Sequence, residues 1–134
     1  MLTEQGIKRY IKSPIDVIFF EESPSTNLEA KSIAATARAG TVIFARRQFS
    51  GRGRIGRSFE SPEGGIYMTM LVRPTDPVCL TMAAAVAVRR AMVDKLNLDP
   101  AIKWVNDIYW EGKKVCGIPV SYTHLRAHET LSDL

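Results

Sequence analysis

Two periods run through the hydrophobic positions of this chain, one near 3.6 residues and one of two. Leu2 and Ile7 flank Thr3 like a staple around a helix N-cap, with Ile7, Tyr10 and Ile11 on one face, so a short helix is expected to end before Pro14. Asp16 to Phe20 reads as a strand. Thr26 and Glu29 make a capping-box pattern, Ala30, Ile33, Ala34 and Ala37 repeat at helical spacing, and Gly40 suits a C-terminal stop. The runs 41–45 and 66–72 are β-branched and aromatic, the second opened by Gly64-Gly65 and closed by Pro74, and read as core strands. From Leu80 to Leu96, the spacing of Ala83, Ala84, Ala87 and Ala91 predicts a helix lying close on a sheet, with Arg90 and Asp94 paired outside. Ala101 to Trp104, Asp107 to Trp110 and Lys113 to Ile118 read as strands, the last two joined tightly by Glu111-Gly112.

Between the strands at 41–45 and 66–72 lies Gly51-Arg52-Gly53-Arg54-Ile55-Gly56-Arg57, three residues after Gln48. Glycine brings backbone N–H groups close to a ligand, and arginine adds forked, permanently charged donors, so this is a loop chemically suited to wrap carboxylate or phosphate. A disordered nucleic-acid-binding segment has the same composition, but this run links two strands. It matches neither the lone-lysine phosphate loop nor the dinucleotide fingerprint. The chain has 134 residues, 46% hydrophobic and 24% charged, with a formal charge of +4, which bounds it to one domain at most. Five arginines (Arg46, Arg47, Arg52, Arg54, Arg57) fall within twelve residues, a local basicity suited to a small anion. No apolar stretch approaches the ~20 residues of a membrane-spanning helix.

Further blocks are Ser25-Thr26-Asn27, Lys103-Trp104-Val105-Asn106-Asp107, and Lys114-Val115-Cys116-Gly117-Ile118. Any one has an ordinary explanation: the first is a set of helix-capping residues, and a lysine on a hairpin arm is usually a solvated surface residue. Together with the arginine loop, in this order and spacing, they resemble the catalytic domain of biotin protein ligases. That family's blocks are Ser-Thr-Asn, Gln-x-x-Gly-Arg-Gly-Arg-x-Gly-Arg, Lys-Trp-Pro-Asn-Asp and Lys-x-x-Gly-Ile. Val105 stands where proline is usual, and Phe59 where tryptophan is common. Valine is expected to continue an extended segment there.

The resemblance covers roughly Val17 to Ile118 and implies an α+β fold: a mixed, mostly antiparallel sheet with helices on one face, like class II synthetases and biotin–lipoate ligases, here incomplete. It implies activation of biotin with ATP as biotinyl-5′-AMP, then transfer to a lysine of a biotin carboxyl carrier protein. Ser25, Thr26, Asn27, Gln48, Arg52, Gly53, Arg54 and Lys114 match biotin and adenylate contacts, with Lys114 and Arg54 catalytic. Arg57, Phe59, Asn106 and Asp107 match the nucleotide side, with Phe59 stacking on adenine and Asp107 toward Mg2+. ATP, Mg2+ and biotin are then substrates and activator, with no tightly bound cofactor. Lipoate or octanoate ligases and transferases share the fold and remain an alternative, as does an RNA-binding module.

Residues 119–130 can be encoded residue for residue by a sequencing adapter, so 1–118 is expected to be the N-terminal part of the catalytic domain and 119–134 an artefactual tail. His124 and His128, with Glu129, are then excluded as a metal site. The literal chain is expected to be inactive, lacking the rest of the sheet and a small C-terminal domain. No room precedes Thr3 for a winged helix-turn-helix, so no DNA-binding domain is expected. Without a signal peptide, and with Cys79 and Cys116 in unrelated contexts, the expected location is cytoplasmic; the pattern sets no oligomeric state.

Overall fold

The computed structural model describes residues 1–74, 79–121, 123–124 and 132–133. They belong to two compact units, Met1–Arg73 with the short β7–β8 pair (Thr123–His124 and Ser132–Asp133), and Pro74–Tyr122. Most of the expected adapter tail, His128 included, lies outside the described residues.

In the first unit Thr3 caps α1 (Glu4–Tyr10), its hydroxyl accepting from Gly6 N–H at 3.0 Å. Ile7 then packs with Val42 and Phe44, beside Leu2, Ile11, Ile15, Val17 and Phe19. The sheet runs β1 (Val17–Ser23), β2 (Val42–Gln48), β3 (Tyr67–Met70), with β1 parallel and β3 antiparallel to β2. The first two strands outrun their expected apolar cores because Glu21 and Glu22 answer Arg46 and Arg47 across the pair, making the polar ends part of the ladder. On the face carrying Ile43 and Thr69, which are register partners, lies α2 (Thr26–Ile33), with Ala30 buried. Its N-cap is Ser25 and its C-cap Ala34, so the expected cap at Thr26 and stop at Gly40 are both displaced. Glu29 turns to the Ser23 hydroxyl at 2.8 Å instead of closing a capping box.

In the second unit α3 covers Leu80–Leu96 as expected, ending on Asn97 in the left-handed region. Its buried residue is Ala85, while Ala83, Ala87 and Ala91 are exposed, so the sheet-facing stripe is rotated from the alanine pattern. Arg89 of this helix pairs with Asp99 at 2.9 Å. The sheet is antiparallel, β4 (Ala101–Lys103), β5 (Asp107–Trp110), β6 (Lys113–Gly117), and Ile108 is fully buried. Glu111 (φ 48°) and Gly112 (φ 73°) are both left-handed, as a two-residue hairpin turn requires. Trp104, Val105 and Asn106 form a turn, not the expected extended segment; the Trp104–Val105 peptide is cis and Trp104 is exposed. Each unit is thus a three-stranded sheet with a helix on one face, short α2 in the first and long α3 in the second, and the fold is mixed α+β with predominantly antiparallel pairings.

Candidate active site

The first unit brings Ser25, Thr26, Asn27, Gln48 and the arginine loop together. Ser25 is buried and its hydroxyl accepts from Asn27 N–H at 3.2 Å, while its own N–H donates to Ser23 Oγ at 3.2 Å. Thr26 and Gln48 meet across 22 residues: Thr26 N–H donates to Gln48 Oε1 at 2.8 Å. A backbone N–H only donates, so the amide atom facing it is oxygen, and the proton directions of the network follow. Thr26 Oγ1 gives its proton to the same Oε1 at 3.1 Å, and therefore accepts from Thr69 Oγ1 at 2.8 Å. Gln48 Nε2 donates to Ser61 Oγ at 2.8 Å, and Ser61 donates to the Phe59 carbonyl at 3.0 Å. Toward a ligand, Gln48 is thus left a donor and Thr26 an acceptor.

Gln48 and Ser61 also pair through the backbone, Gln48 N–H to Ser61 C=O at 3.1 Å, closing the base of the loop. Inside, Phe59 N–H donates to Gly51 C=O at 2.8 Å and Gly53 N–H to Arg57 C=O at 2.7 Å, and Arg52 bridges Ser58. The run is therefore folded back as a narrow hairpin. Arg54–Gly56 make its tip, where Ile55 is left-handed (φ 57°) and 91% exposed. Arg52, Arg54 and Arg57 are exposed, Phe59 half-buried. Of the five clustered arginines, Arg46 is held by Glu21 at 2.6 Å, by the Leu2 carbonyl at 3.0 Å and against the Phe19 ring, and Arg47 by Glu22. The strand arginines are thus engaged within the fold, while the loop arginines are the exposed members of the cluster.

The second unit places Asp107 and Lys114 as an ion pair, Nζ to Oδ1 at 2.9 Å. The two-residue Glu111-Gly112 turn makes this possible. It pairs Lys114 with Tyr109, so Lys114 shares the face of Tyr109 and Asp107, and a bulge just beyond, with Val115 as the extra residue, still leaves Cys116 opposite Ile108 and Gly117 opposite Asp107. Lys113 pairs with Trp110 on the other face, as strand alternation predicts. Burial pushes the Cys116 thiol up in pKa, against the opposing pull of Lys114. Asn106 sits in the turn before β5, its carbonyl accepting from Ile118 N–H at 2.9 Å. Asp107 Oδ1 is buried and lacks a hydrogen-bond donor in good geometry, the ammonium contact being off-angle. That oxygen fits a hard cation, yet no group of three His, Cys, Asp or Glu side chains among the described residues forms a metal cage. The donor set suits a magnesium ion that arrives with phosphate oxygens and takes one carboxylate from the protein.

Sequence reasoning missed Ser61, Thr69 and Ser23, which hold the polar network, and gave Glu29, the partner of Ser23, a capping role. Ser61 follows Phe59 at strand spacing and Thr69 interrupts an apolar strand, the one signal each offers.

These features sit in a mixed α+β fold, as a capped helix start, an arginine hairpin and a lysine-bearing β-hairpin. Residues 17–130 match the model of the biotin/lipoate A/B protein ligase family, and the chain belongs to that family. It is 35% identical over 137 residues to the bifunctional ligase/repressor BirA of Bacillus subtilis, covering 96% of this chain and 41% of that protein. To the biotin–[acetyl-CoA-carboxylase] ligase of Paracoccus denitrificans it is 37% identical over 100 residues, covering 70% of this chain and 42% of that one. The chain thus spans under half the length of these relatives. Among solved structures, the biotin protein ligase of Aquifex aeolicus in complex with biotin and ATP superposes with a TM-score of 0.71 at 31% identity, over 84% of this chain and 47% of that one. The Leishmania major enzyme in complex with biotinyl-5-AMP gives 0.71 at 30% identity, over 86% and 53%. No helix among the described residues is long and apolar enough to cross a membrane.

Proposed function

We propose that this chain carries binding and catalytic residues of an ATP-dependent biotin ligase that acts in the cytoplasm on a carrier-protein lysine. The observation that carries biotin over lipoate is the fixed polarity of the Thr26–Gln48 pair. Gln48 has an N–H left to donate and Thr26 a lone pair left to accept, side by side. A cyclic urea such as biotin's presents the complementary carbonyl and N–H, whereas a dithiolane ring presents neither.

In the first step the biotin carboxylate attacks the α-phosphorus of ATP, forming biotinyl-5′-AMP and releasing pyrophosphate. Two anions must approach, and at ~4 Å their repulsion is about 4 kcal/mol at an effective dielectric near 20. Arg52, Arg54 and Arg57 with the loop N–H groups, and Lys114, supply the offsetting donors, and family membership supports assigning them to one reaction. Gly53 lets the backbone approach the ligand, Asn27 borders the biotin site, and Phe59, Asn106 and Asp107 serve the nucleotide. Magnesium, held by Asp107 and the phosphates, would add positive charge to the phosphate oxygens. In the second step the carrier lysine's amine attacks the acyl carbon, and AMP leaves.

Titrating the chain with biotin and with lipoate tests the reading: biotin should bind and lipoate should not, and the reverse order would overturn it. We also propose that residues 119–134 are adapter-encoded and that turnover needs more of the relatives' length than 1–118. The family match running to residue 130 makes the genomic sequence the direct check. An uninterrupted natural reading frame through these codons would refute the adapter origin.

A further inference from the structure

We propose that Ser61 is a positioning residue for ligand recognition at Gln48, a claim that rests on the biotin reading above and extends it. One hydroxyl holds two things at once. It accepts from Gln48 Nε2 at 2.8 Å and donates to the Phe59 carbonyl at 3.0 Å. Because its only proton is committed to Phe59, it acts toward Gln48 purely as an acceptor, and it takes one amide N–H while leaving the other for a ligand. The opposite end of the amide is pinned at Oε1 by Thr26 N–H and Oγ1. Held at both ends, the amide plane has a single orientation before any ligand arrives, and the donor is preorganised.

The packing around this contact leaves no slack. A Cβ at Gly51 would lie 2.7 Å from Ser61 Oγ and 3.1 Å from Gln48 Nε2, and would collide with the Phe59 carbonyl. The backbone of the loop's first glycine therefore rests directly on the Gln48–Ser61 contact. Gln48 and Ser61 are also the two residues whose backbone pairing closes the loop base. Ser61 thus links the seating of the arginine hairpin to the aim of the Gln48 donor. Without its hydroxyl, Gln48 is held at Oε1 alone and its N–H groups swing about the last side-chain bond.

The test uses this chain, calorimetric titration with biotin, and the NMR signals of the Gln48 side-chain amide. Ser61→Ala should weaken biotin binding about tenfold and broaden the two Gln48 amide proton signals, while the backbone spectrum outside residues 48–61 stays in place. Ser61→Thr, which keeps the hydroxyl, should stay within threefold of the parent. Ser61→Cys, close in size but a poor acceptor, should fall with the alanine variant, and it decides the matter if alanine prevents folding. Biotin binding within twofold of the parent in both Ser61→Ala and Ser61→Cys, or an unchanged Gln48 amide, overturns the positioning role and leaves the biotin reading standing. Failure of the parent chain to bind biotin overturns both.

Discussion

Arg46 and Arg47 lie on β2, five or more residues before Arg52, yet the two groups of arginines meet different fates. The strand pair is consumed by the fold: Arg46 is only 19% exposed, tied to Glu21, the Leu2 carbonyl and the Phe19 ring, and Arg47 meets Glu22. The loop arginines stand on a glycine-rich hairpin with exposed side chains. Charge density along a chain therefore overstates charge offered to a ligand, because a neighbouring strand in register can cancel it. Lys114 is an intermediate case, paired with Asp107 in the protein yet assigned to the chemistry.

The largest expected effect tests that intermediate case. Lys114→Ala should slow single-turnover biotinyl-adenylate formation at saturating substrates by at least ~100-fold, the scale of a lost preorganised donor. Lys113→Ala, on the opposite face, should change it less than about threefold. The assay uses the protein expressed from the full reading frame of its locus, and equal small effects would remove Lys114 from the mechanism. Next in size, Arg54→Ala should weaken retention of the adenylate by more than ~1.4 kcal/mol, or tenfold, since a charge-assisted hydrogen bond to a desolvated anion is worth ~1.5–3 kcal/mol. Arg46→Ala should do the converse, leaving adenylate dissociation within twofold while lowering stability by roughly 1–2 kcal/mol in urea melts, through lost packing as well as charge. If Arg46→Ala instead weakened the ligand as much as Arg54→Ala, the division between the two groups would collapse.

The smallest effect lies at an exposed pair. Arg38 bonds both carboxylate oxygens of Asp16 at 3.0 Å and holds its pKa below the usual carboxylate value. A depressed carboxylate contributes stability above its unfolded pKa, near 3.9, and loses it as pH falls through the lower folded value. Arg38→Ala should therefore separate slightly from the parent at neutral pH and converge with it in strong acid, followed by circular dichroism. A gap that widened with acid would contradict this sign.

Local chemistry was well encoded. The limits of α3 follow from its apolar run and the left-handed Asn97, and the Glu111-Gly112 turn follows from residues that tolerate positive φ. The four site blocks were legible as motifs. What stayed hidden depends on partners far along the chain. Ser25 and Thr26 are both good caps, and Gln48, 22 positions away, decides between them by capturing Thr26. The cancellation of Arg46 and Arg47 requires the register of a parallel strand pair. The stripe of α3 that turns inward is set by the sheet beneath it, which alanine spacing alone does not fix.

The Glu111-Gly112 turn carries a further consequence, for how variants and relatives should be compared. It sets the phase of a two-beat count, so the number of residues in the turn matters as much as their identity. Deleting one of its two residues would keep the lysine, the aspartate and the terminal glycine, but a re-formed two-residue turn would pair Lys114 with Ile108 and put the ammonium on the opposite side of the ribbon from the carboxylate. An aligner that slides a single gap into this hairpin would still match every letter of the motif and would misread its phase. Spacing between Asp107 and Lys114 is therefore as much a part of this motif as the residues it separates.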